Sequence, residues 1–389
     1  MTMKRRSFLL SGAGALGAAA LPHSARAQLV PRQYQQLLNI GVNVPLSGDR
    51  AQAGREIAGG IQAAIDYANR YGGTFGSAFA MRTFDDMDAL AQSMVNVQFA
   101  AADPTIIAMV AGFDGPLISA ALNTYESTQT PLLVPGSTAD SVTARGFRNV
   151  WRLPTKDSTE GMLAAQFIAK REKPKLAIAA AQDGDYGGDV AQGFLNQSKA
   201  SGMPAFAYLF ANEKPNYAVA AKEILAKKPD FIYLCGVSGA MGPLVTALRA
   251  AGYAGKFGAS QGFFNQTVLR DYADAFAGGF VSTSMPPLDL APDVVQALSD
   301  FRSRYPITSL SAFAYAAAQI IISAARRTGA SNRLSMMSAL QAPQSYSTIV
   351  GQFQFLPTGD PIDPLVYFYT IAGGKFKFIA PSHATPFVL

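Results

Sequence analysis

Short apolar runs alternate with longer amphipathic segments between residues 37 and 134. Leu37–Val44 has a β-type pattern, and Ala51–Tyr71 places Ile57, Ile61 and Ile65 at helical spacing. Further strand-like runs are Phe79–Phe84, Thr105–Val110 and Pro131–Val134. Strands that alternate with helices of this length predict a parallel sheet covered by helices on both faces.

The same alternation starts again near residue 175. Predicted strands are Lys175–Ala180, Pro204–Phe210, Asp230–Cys235 and Lys256–Ala259, and predicted helices are Tyr186–Ala200, Tyr217–Lys227 and Met241–Ala251. We therefore predict two successive α/β halves joined near Trp151–Thr155. Phe280–Leu340 holds two helical stretches that we assign to one half, and strand-like pieces follow at Thr348–Phe355 and Leu365–Ile371.

The N-terminus has the features of an export signal in the order that export requires. Lys4–Arg6 precedes an apolar stretch that runs to Leu21, and Ala25–Ala27 forms an A-x-A cleavage pattern. We predict a twin-arginine-type signal peptide over residues 1–27, exported by the twin-arginine machinery and cleaved after Ala27. The alternatives are a membrane anchor or a disordered tail, but the stretch is too short for a permanent transmembrane helix.

Charge and composition narrow the classes of partner. The formal charge is +6, and removal of the signal leaves +2, because four cations and no acidic residue lie in it. That balance argues against nucleic acid or a membrane surface as a partner. After removal of the signal the chain has one cysteine, Cys235, so it cannot form an internal disulfide. It also has one histidine, His383, which disfavours histidine-based catalysis and metal sites. Cys235 lies in an apolar run and is expected to be a packed thiol.

Two motifs imitate chemical sites. Gly258–Gly262 fits the nucleophile-elbow pattern G-x-S-x-G, with Ser260 as the nucleophile and His383 downstream. A serine hydrolase is therefore a distant alternative, although no oxyanion loop of the HGGG type is visible. Asp85–Asp88 could ligate a hard cation, but we favour a strand-end turn in which Asp88 caps the next helix. We expect neither a metal nor a cofactor.

The loops after the predicted strands are rich in Gly, Ser and Thr. They are Pro45–Gly54, Ala111–Pro116, Pro135–Thr138, Gln182–Gly187, Gly236–Gly239 and Ser260–Phe264. In open parallel sheets such loops converge on the ligand site. Backbone N–H groups, hydroxyls and helix N-termini suit a small carboxylate, and the loops offer no obvious general base or nucleophile. The pattern predicts a protein that binds its ligand without transforming it, and therefore no enzyme.

Several segments, taken in order, resemble one known family. Ile40–Gly48 reads IGVNVPLSG, Gly59–Asn69 reads GGIQAAIDYAN and Pro131–Thr138 reads PLLVPGST; Phe84–Asp86, Asp185–Gly187 and Tyr315–Gln319 continue the pattern. The chain is similar to the periplasmic leucine/isoleucine/valine-type (branched-chain amino acid) solute-binding proteins of ABC transporters. That resemblance implies an α/β fold of the type I periplasmic binding class, in which two doubly wound parallel-sheet lobes are joined by a three-strand hinge.

The resemblance also implies where the lobes and partners lie. One lobe would comprise residues 37–152 plus 284–349 and the other residues 155–280 plus 352–389, with crossovers near Trp151–Thr155, Phe280–Ser284 and Ile349–Gln352. A protein of this family would be a periplasmic monomer that binds a small molecule between its lobes. It would deliver that molecule to the permease subunits of an ABC transporter.

Ligand contacts follow from the resemblance residue by residue. In the amino-acid binders, the loops after the third and fourth strands hold the α-carboxylate, which points here to Asp114, Gly115, Ser137 and Thr138. Tyr186 matches a tyrosine that faces the cleft.

Three further positions depart from the family pattern. Ala53 stands where an aromatic wall is common, Ser238 where another tyrosine is common, and Gln261 where a glutamate often pairs with the ligand's ammonium. A neutral amide replaces that carboxylate poorly. Two ligand hypotheses therefore stay open. One is a branched-chain or other amino acid, with Asp114 or Asp183 supplying the missing charge; the other is a small carboxylate or amide without an α-ammonium, such as an aromatic or keto acid.

Overall fold

The structure, a computed structural model, describes residues 36–210, 215–288 and 295–383. The predicted signal peptide at residues 1–27 lies outside these ranges. The described residues form two α/β lobes, each built around its own sheet, as the alternating pattern predicts.

Fourteen strands are distributed over the described residues. They are β1 (Gln36–Val44), β2 (Ser77–Asp85), β3 (Ile106–Ala111), β4 (Leu132–Val134), β5 (Val150–Arg152), β6 (Ala177–Gln182), β7 (Ala205–Phe210), β8 (Phe231–Cys235), β9 (Lys256–Ala259), β10 (Phe280–Thr283), β11 (Tyr346–Thr348), β12 (Gly351–Phe353), β13 (Tyr367–Ala372) and β14 (Lys375–Pro381).

Twelve α-helices accompany those strands in the same residue ranges. They are α1 (Ala51–Arg70), α2 (Leu90–Ala102), α3 (Gly115–Ser127), α4 (Ser141–Ala144), α5 (Asp157–Arg171), α6 (Asp185–Ser201), α7 (Tyr217–Ala226), α8 (Ser238–Ala250), α9 (Gln266–Asp271), α10 (Val295–Arg302), α11 (Ser309–Thr328) and α12 (Arg333–Gln341).

Lobe 1 contains a five-stranded parallel sheet in the order β2-β1-β3-β4-β5. Strand β3 is buried at every position, as expected for a central strand covered on both faces. Helix α1 packs closely against α11 on one of those faces, where Gly60 is buried. A Cβ at Gly60 would lie 2.1 Å from the carbonyl oxygen of Ser311, so only glycine permits this approach of the two helices.

Lobe 2 contains a seven-stranded sheet in the order β14-β13-β10-β9-β8-β6-β7. Strands β6 to β10 run parallel, whereas β13 pairs antiparallel with β10 and β14 antiparallel with β13. The sequence analysis did not predict β14. Cys235 is fully buried at the end of β8, which confirms the expected packed thiol.

The chain crosses between the lobes three times. The first two crossovers lie side by side, because the Thr155 amide donates a 3.0 Å hydrogen bond to Ser284 Oγ. The third lies later than the predicted Ile349–Gln352. Strand β12 pairs with β11, and the Arg152 amide donates to the Gly359 carbonyl at 2.9 Å. Residues 352–359 therefore stay with lobe 1, and the chain crosses between Gly359 and β13.

Two local predictions are wrong. Asp88 does not cap α2, whose N-cap residue is Ala89 and has no side-chain hydrogen bond, because the Asp88 carboxylate pairs with Arg50 instead. Residues 280–340 contain β10 and three described helices rather than two helical stretches alone. No helix among the residues that the structure describes combines the length and apolar character needed to span a bilayer.

Candidate functional site

The N-terminus of α3 lies against the loop after β4. Asp114 caps this helix by accepting a 3.1 Å hydrogen bond from the Leu117 amide. Gly115 begins the helix and is buried, and a Cβ there would lie 2.6 Å from Cβ of Ala139. Glycine at this position therefore brings the helix N-terminus beside the loop that carries Ser137, which is 2 % exposed.

Arg50 ties together the three loops that follow β1, β2 and β3. Its guanidinium pairs with Asp88 and with Asp114, the latter at 2.8 Å, and lies 5.0 Å from the centre of the Phe113 ring. The hydrogen bond to Asp88 contributes most to raising the pKa of Arg50 above its ordinary value. Sequence reasoning missed Arg50, because its partners are distant in the chain.

The pairing with Arg50 changes the expected role of Asp114. That carboxylate already has a cation and a helix N-terminus as partners, so it is not an unpaired charge in this structure. Asp183, the other candidate, follows β6 and is exposed. Neither residue therefore presents an unpaired, buried carboxylate to the cleft.

The acidic run at the end of β2 forms the expected turn. Asp85 accepts hydrogen bonds from the amides of Leu46 at 2.8 Å and Met87 at 2.9 Å. Partial burial acts to raise the pKa of Asp85, but the hydrogen bonds from Ser47, Leu46 and Met87 outweigh it and leave that pKa lowered. Within the described ranges, no group of three or more acidic, His or Cys side chains is placed to hold a metal ion.

Tyr186 holds the turn that follows β9 in lobe 2. Its hydroxyl donates to Ser260 Oγ and accepts from the Gly262 amide, both at 2.9 Å. Burial raises the pKa of Tyr186 well above its ordinary value, so the hydroxyl stays neutral. The short 3-10 turn Gln261–Phe263 is thereby held against the N-terminal turn of α6.

The other predicted ligand-binding residues lie at the start of α8, in the turn after β9 and in the first turn of α1. Ser238 is the first residue of α8, and its hydroxyl accepts a 3.1 Å hydrogen bond from Asn265, whose amide also donates to the Gly262 carbonyl at 2.8 Å. Tyr186, Ser238 and Gln261 thus belong to one cluster on lobe 2. Ala53 lies half-buried in the first turn of α1, and its amide donates to the Arg50 carbonyl at 3.1 Å.

Ser260 and His383 do not form a catalytic pair. Ser260 is fully buried, and its hydroxyl accepts hydrogen bonds from Tyr186 and from the Gly236 amide. His383 follows β14, where its ring nitrogens lie 2.8 Å from Asp363 and 3.1 Å from Ser382. The serine-hydrolase alternative is therefore wrong.

The first turn of α5 connects the candidate residues of the two lobes. The Asp157 amide donates to the Thr138 carbonyl at 3.0 Å. In the same turn, Glu160 Oε1 accepts a 2.8 Å hydrogen bond from the Gln261 amide. Thr138 on lobe 1 and Gln261 on lobe 2 are therefore joined through a single helical turn.

Sequence reasoning missed Asp157 and Glu160 because acidic residues in a first helical turn are common on surfaces. Here both are 1 % exposed. Burial raises the pKa of Asp157 well above its ordinary value and that of Glu160 to about 7. The sequence feature that could have identified them is their i, i+3 spacing directly after the first predicted crossover.

Comparison with known proteins places this site in context. Residues 38–375 match the family model described as periplasmic binding protein. Leu/Ile/Val-binding protein homolog 1 of Brucella abortus (strain 2308) is 24% identical over 380 residues, which cover 96% of this chain and 99% of that protein.

Solved structures show the same fold. The leucine-binding protein LivK of Thermotoga maritima gives a TM-score of 0.77 at 20% identity, covering 88% of this chain and 98% of that one. A solute-binding protein of an ABC transporter from Rhodopseudomonas palustris, in complex with benzoate, gives 0.74 at 19% identity, covering 89% and 96%. These relatives and neighbours are solute-binding proteins rather than enzymes, as the loop composition predicts.

Proposed function

Because the chain belongs to the periplasmic binding protein family, we propose that it captures a small amino acid, of the branched-chain type, between its two lobes. One observation carries this proposal. The first turn of α5 bonds Thr138 on one side and Gln261 on the other, so candidate residues of both lobes meet at one junction. A solute bound there would contact both lobes and favour their closure.

The site residues of this proposal have complementary roles. The α3 N-terminus with Gly115, and the hydroxyls of Ser137 and Thr138, would hold the ligand carboxylate. Tyr186, Ser238 and Gln261 would close over it from lobe 2, with Ala53 leaving room beside α1. Asp114 would act by capping α3 rather than by contacting an ammonium.

Delivery completes the proposed activity. The protein would be exported through the twin-arginine machinery, lose its signal after Ala27, and work as a periplasmic monomer. It would present the closed, loaded form to the permease subunits of an ABC transporter. The Leu/Ile/Val-binding protein homolog 1 of Brucella abortus, matched over 99% of its length, supports the branched-chain amino acid as the ligand class.

A second ligand class has one specific observation in its favour. Arg50 pairs with Asp114, and Gln261 offers an amide where the family pattern has a glutamate, so neither position presents an unpaired carboxylate to an ammonium. A small carboxylate or amide without an ammonium, such as an aromatic or keto acid, is therefore the alternative. The benzoate-bound neighbour from Rhodopseudomonas palustris agrees with that class.

Thermal unfolding of the purified protein with a ligand panel tests the proposal. Leucine, isoleucine and valine form one arm, and benzoate and the 2-oxo acids form the other. A ligand at a hundred times its Kd adds about 2.7 kcal/mol to the free energy of unfolding and raises Tm. A Tm unmoved by every member of both arms would contradict solute capture.

A further inference from the structure

A cavity of about 280 Å³, which we call the hinge cavity, lies among the three crossovers. Leu153 of the first crossover, Ser284 of the second and Leu365 of the third all line it. Phe313 of lobe 1 and Tyr367 of lobe 2 complete the wall on either side. None of the residues proposed to bind the solute contributes to this wall. A molecule in the hinge cavity would therefore contact both lobes without occupying the proposed solute site.

The wall of the hinge cavity is mostly apolar and offers no cation. Phe313, Val350 and Phe353 line it and are buried. Its described lining residues include no lysine, arginine or histidine, and the charged one, Asp363, lies 2.8 Å from Nε2 of His383 outside the wall. A free carboxylate would lose hydration there without gaining a counter-charge. The hinge cavity therefore favours a neutral molecule, in contrast to a solute site proposed to hold a carboxylate.

One buried hydroxyl of the wall has no partner within the described part of the chain. Tyr367 is 4% exposed, and its hydroxyl makes no hydrogen bond to another described residue. The neighbouring hydroxyls instead join the crossovers, because Thr155 donates to the Leu365 carbonyl at 2.7 Å and Ser284 accepts from the Thr155 amide at 3.0 Å. Burial raises the pKa of Tyr367 to about 12, so its hydroxyl stays neutral near pH 7. Buried polar groups are nearly always hydrogen-bonded, so this hydroxyl suits a polar group of a bound molecule.

We propose that the hinge cavity is a second binding site, which takes a small neutral molecule that combines an aromatic ring with one hydrogen-bonding group. An apolar cavity of about 150 Å³ in a protein admits benzene, so this larger one has room for phenol or for the two fused rings of indole. The ring would pack against Phe313 and Val350, and the polar group would bond the Tyr367 hydroxyl.

Occupancy of the hinge cavity would act on the arrangement of the lobes. Its wall takes Phe313 from lobe 1 and Tyr367 from lobe 2, so the shape of the cavity depends on the angle between the lobes. A molecule that fits one angle better shifts the population of the protein towards it. The second site does not require any particular solute in the cleft, so it is independent of the proposed function.

Ligand-observed NMR titration of the purified protein with phenol, indole and toluene tests the site. We expect saturable binding of all three. Ser345 lines the hinge cavity, and Ser345→Phe should fill part of it and weaken indole binding by at least about tenfold. Ser347→Phe makes the same change at an exposed position of β11 outside the wall and is the matched control. Indole-3-carboxylate should show no binding that Ser345→Phe removes.

Tyr367→Phe provides a second variant that removes only the hydroxyl. Phenol should bind about threefold to tenfold more weakly to it, whereas toluene should bind unchanged, because only phenol can bond that hydroxyl. This comparison decides even if Ser345→Phe fails to fold.

Three results would overturn the second site. They are the absence of saturable phenol and indole binding, equal effects of Ser345→Phe and Ser347→Phe on indole, and equal effects of Tyr367→Phe on phenol and toluene. Each of them leaves the proposed capture of a solute in the cleft standing, because none of the substituted residues belongs to that site.

Discussion

The guanidinium of Arg50 lies 2.8 Å from the carboxylate of Asp114, whose other oxygen caps α3. One arginine in the loop after β1 thus fixes the helix N-terminus that follows β3. Because Asp88 pairs with the same guanidinium, three loops of lobe 1 form a single ion-paired unit. The lobe-1 side of the proposed ligand site is therefore held in place by these ion pairs without a ligand.

Replacing Arg50 tests how firmly that unit holds. Arg50→Gln should lower the free energy of unfolding by about 1 kcal/mol, a modest loss because the side chain is 41% exposed and solvent screens the pair. Urea denaturation measures the change. Arg55→Gln, on the exposed face of α1, is the control and should have almost no effect. Equal losses in the two variants would argue against a bridging role for Arg50.

Tyr186 is expected to couple stability to ligand affinity. Tyr186→Phe removes one of the two donors to Ser260 Oγ and leaves the Gly262 amide without its acceptor, which should cost about 1–3 kcal/mol. The loosened turn should also weaken ligand binding by about tenfold. Denaturation and calorimetry measure the two effects. Tyr208→Phe, whose hydroxyl bonds Glu223, removes the same atom from a more accessible site and should change neither quantity appreciably.

Adding a methyl group at Gly60 should push α1 away from α11. Gly60→Ala would place Cβ 2.1 Å from the Ser311 carbonyl oxygen, so the helices must shift, and we expect a loss of at least about 2 kcal/mol. Gly188→Ala, in α6, meets nothing within 4 Å and should be neutral or stabilising by up to about 1 kcal/mol. Thermal denaturation of both variants checks the contrast, and a Tm for Gly60→Ala at or above the unmodified value would refute it.

The buried Glu160 should make the ligand-free protein less stable as pH rises. Burial raises its folded-state pKa to about 7, above the ordinary value of 4.5, so between these pH values the folded state binds more protons than the unfolded state. The contribution of Glu160 to the free energy of unfolding is fully present below about pH 4.5. It decreases by up to about 3 kcal/mol as pH rises through 7. Asp157, whose pKa burial also raises, acts in the same direction.

Denaturant unfolding at pH 5, 6, 7 and 8 measures this slope. Glu160→Gln lacks the titrating group, so its stability should vary less over the same range than that of the unmodified protein. Parallel pH profiles for the two proteins would show that Glu160 does not titrate as proposed.

The sequence by itself determined the fold class, because hydrophobic periodicity is a local property that each strand and helix carries in its own residues. Strand β9 spans Lys256–Ala259 as predicted, and α1 differs from its prediction by one residue. The restart near residue 175 likewise indicated a second sheet, since every α/β unit repeats the same pattern. The shared loop composition pointed to the same edge of each sheet as the proposed ligand site.

Only the tertiary structure decided which charges are paired and which are buried. Arg50 meets Asp88 across 38 residues and Asp114 across 64, and Gln261 meets Glu160 across 101. Periodicity does not encode such encounters, because they depend on how loops from separate strands approach one another in space. The same reason explains the late third crossover, since the pairing of β12 with β11 and the bond from Arg152 to Gly359 hold that segment on lobe 1.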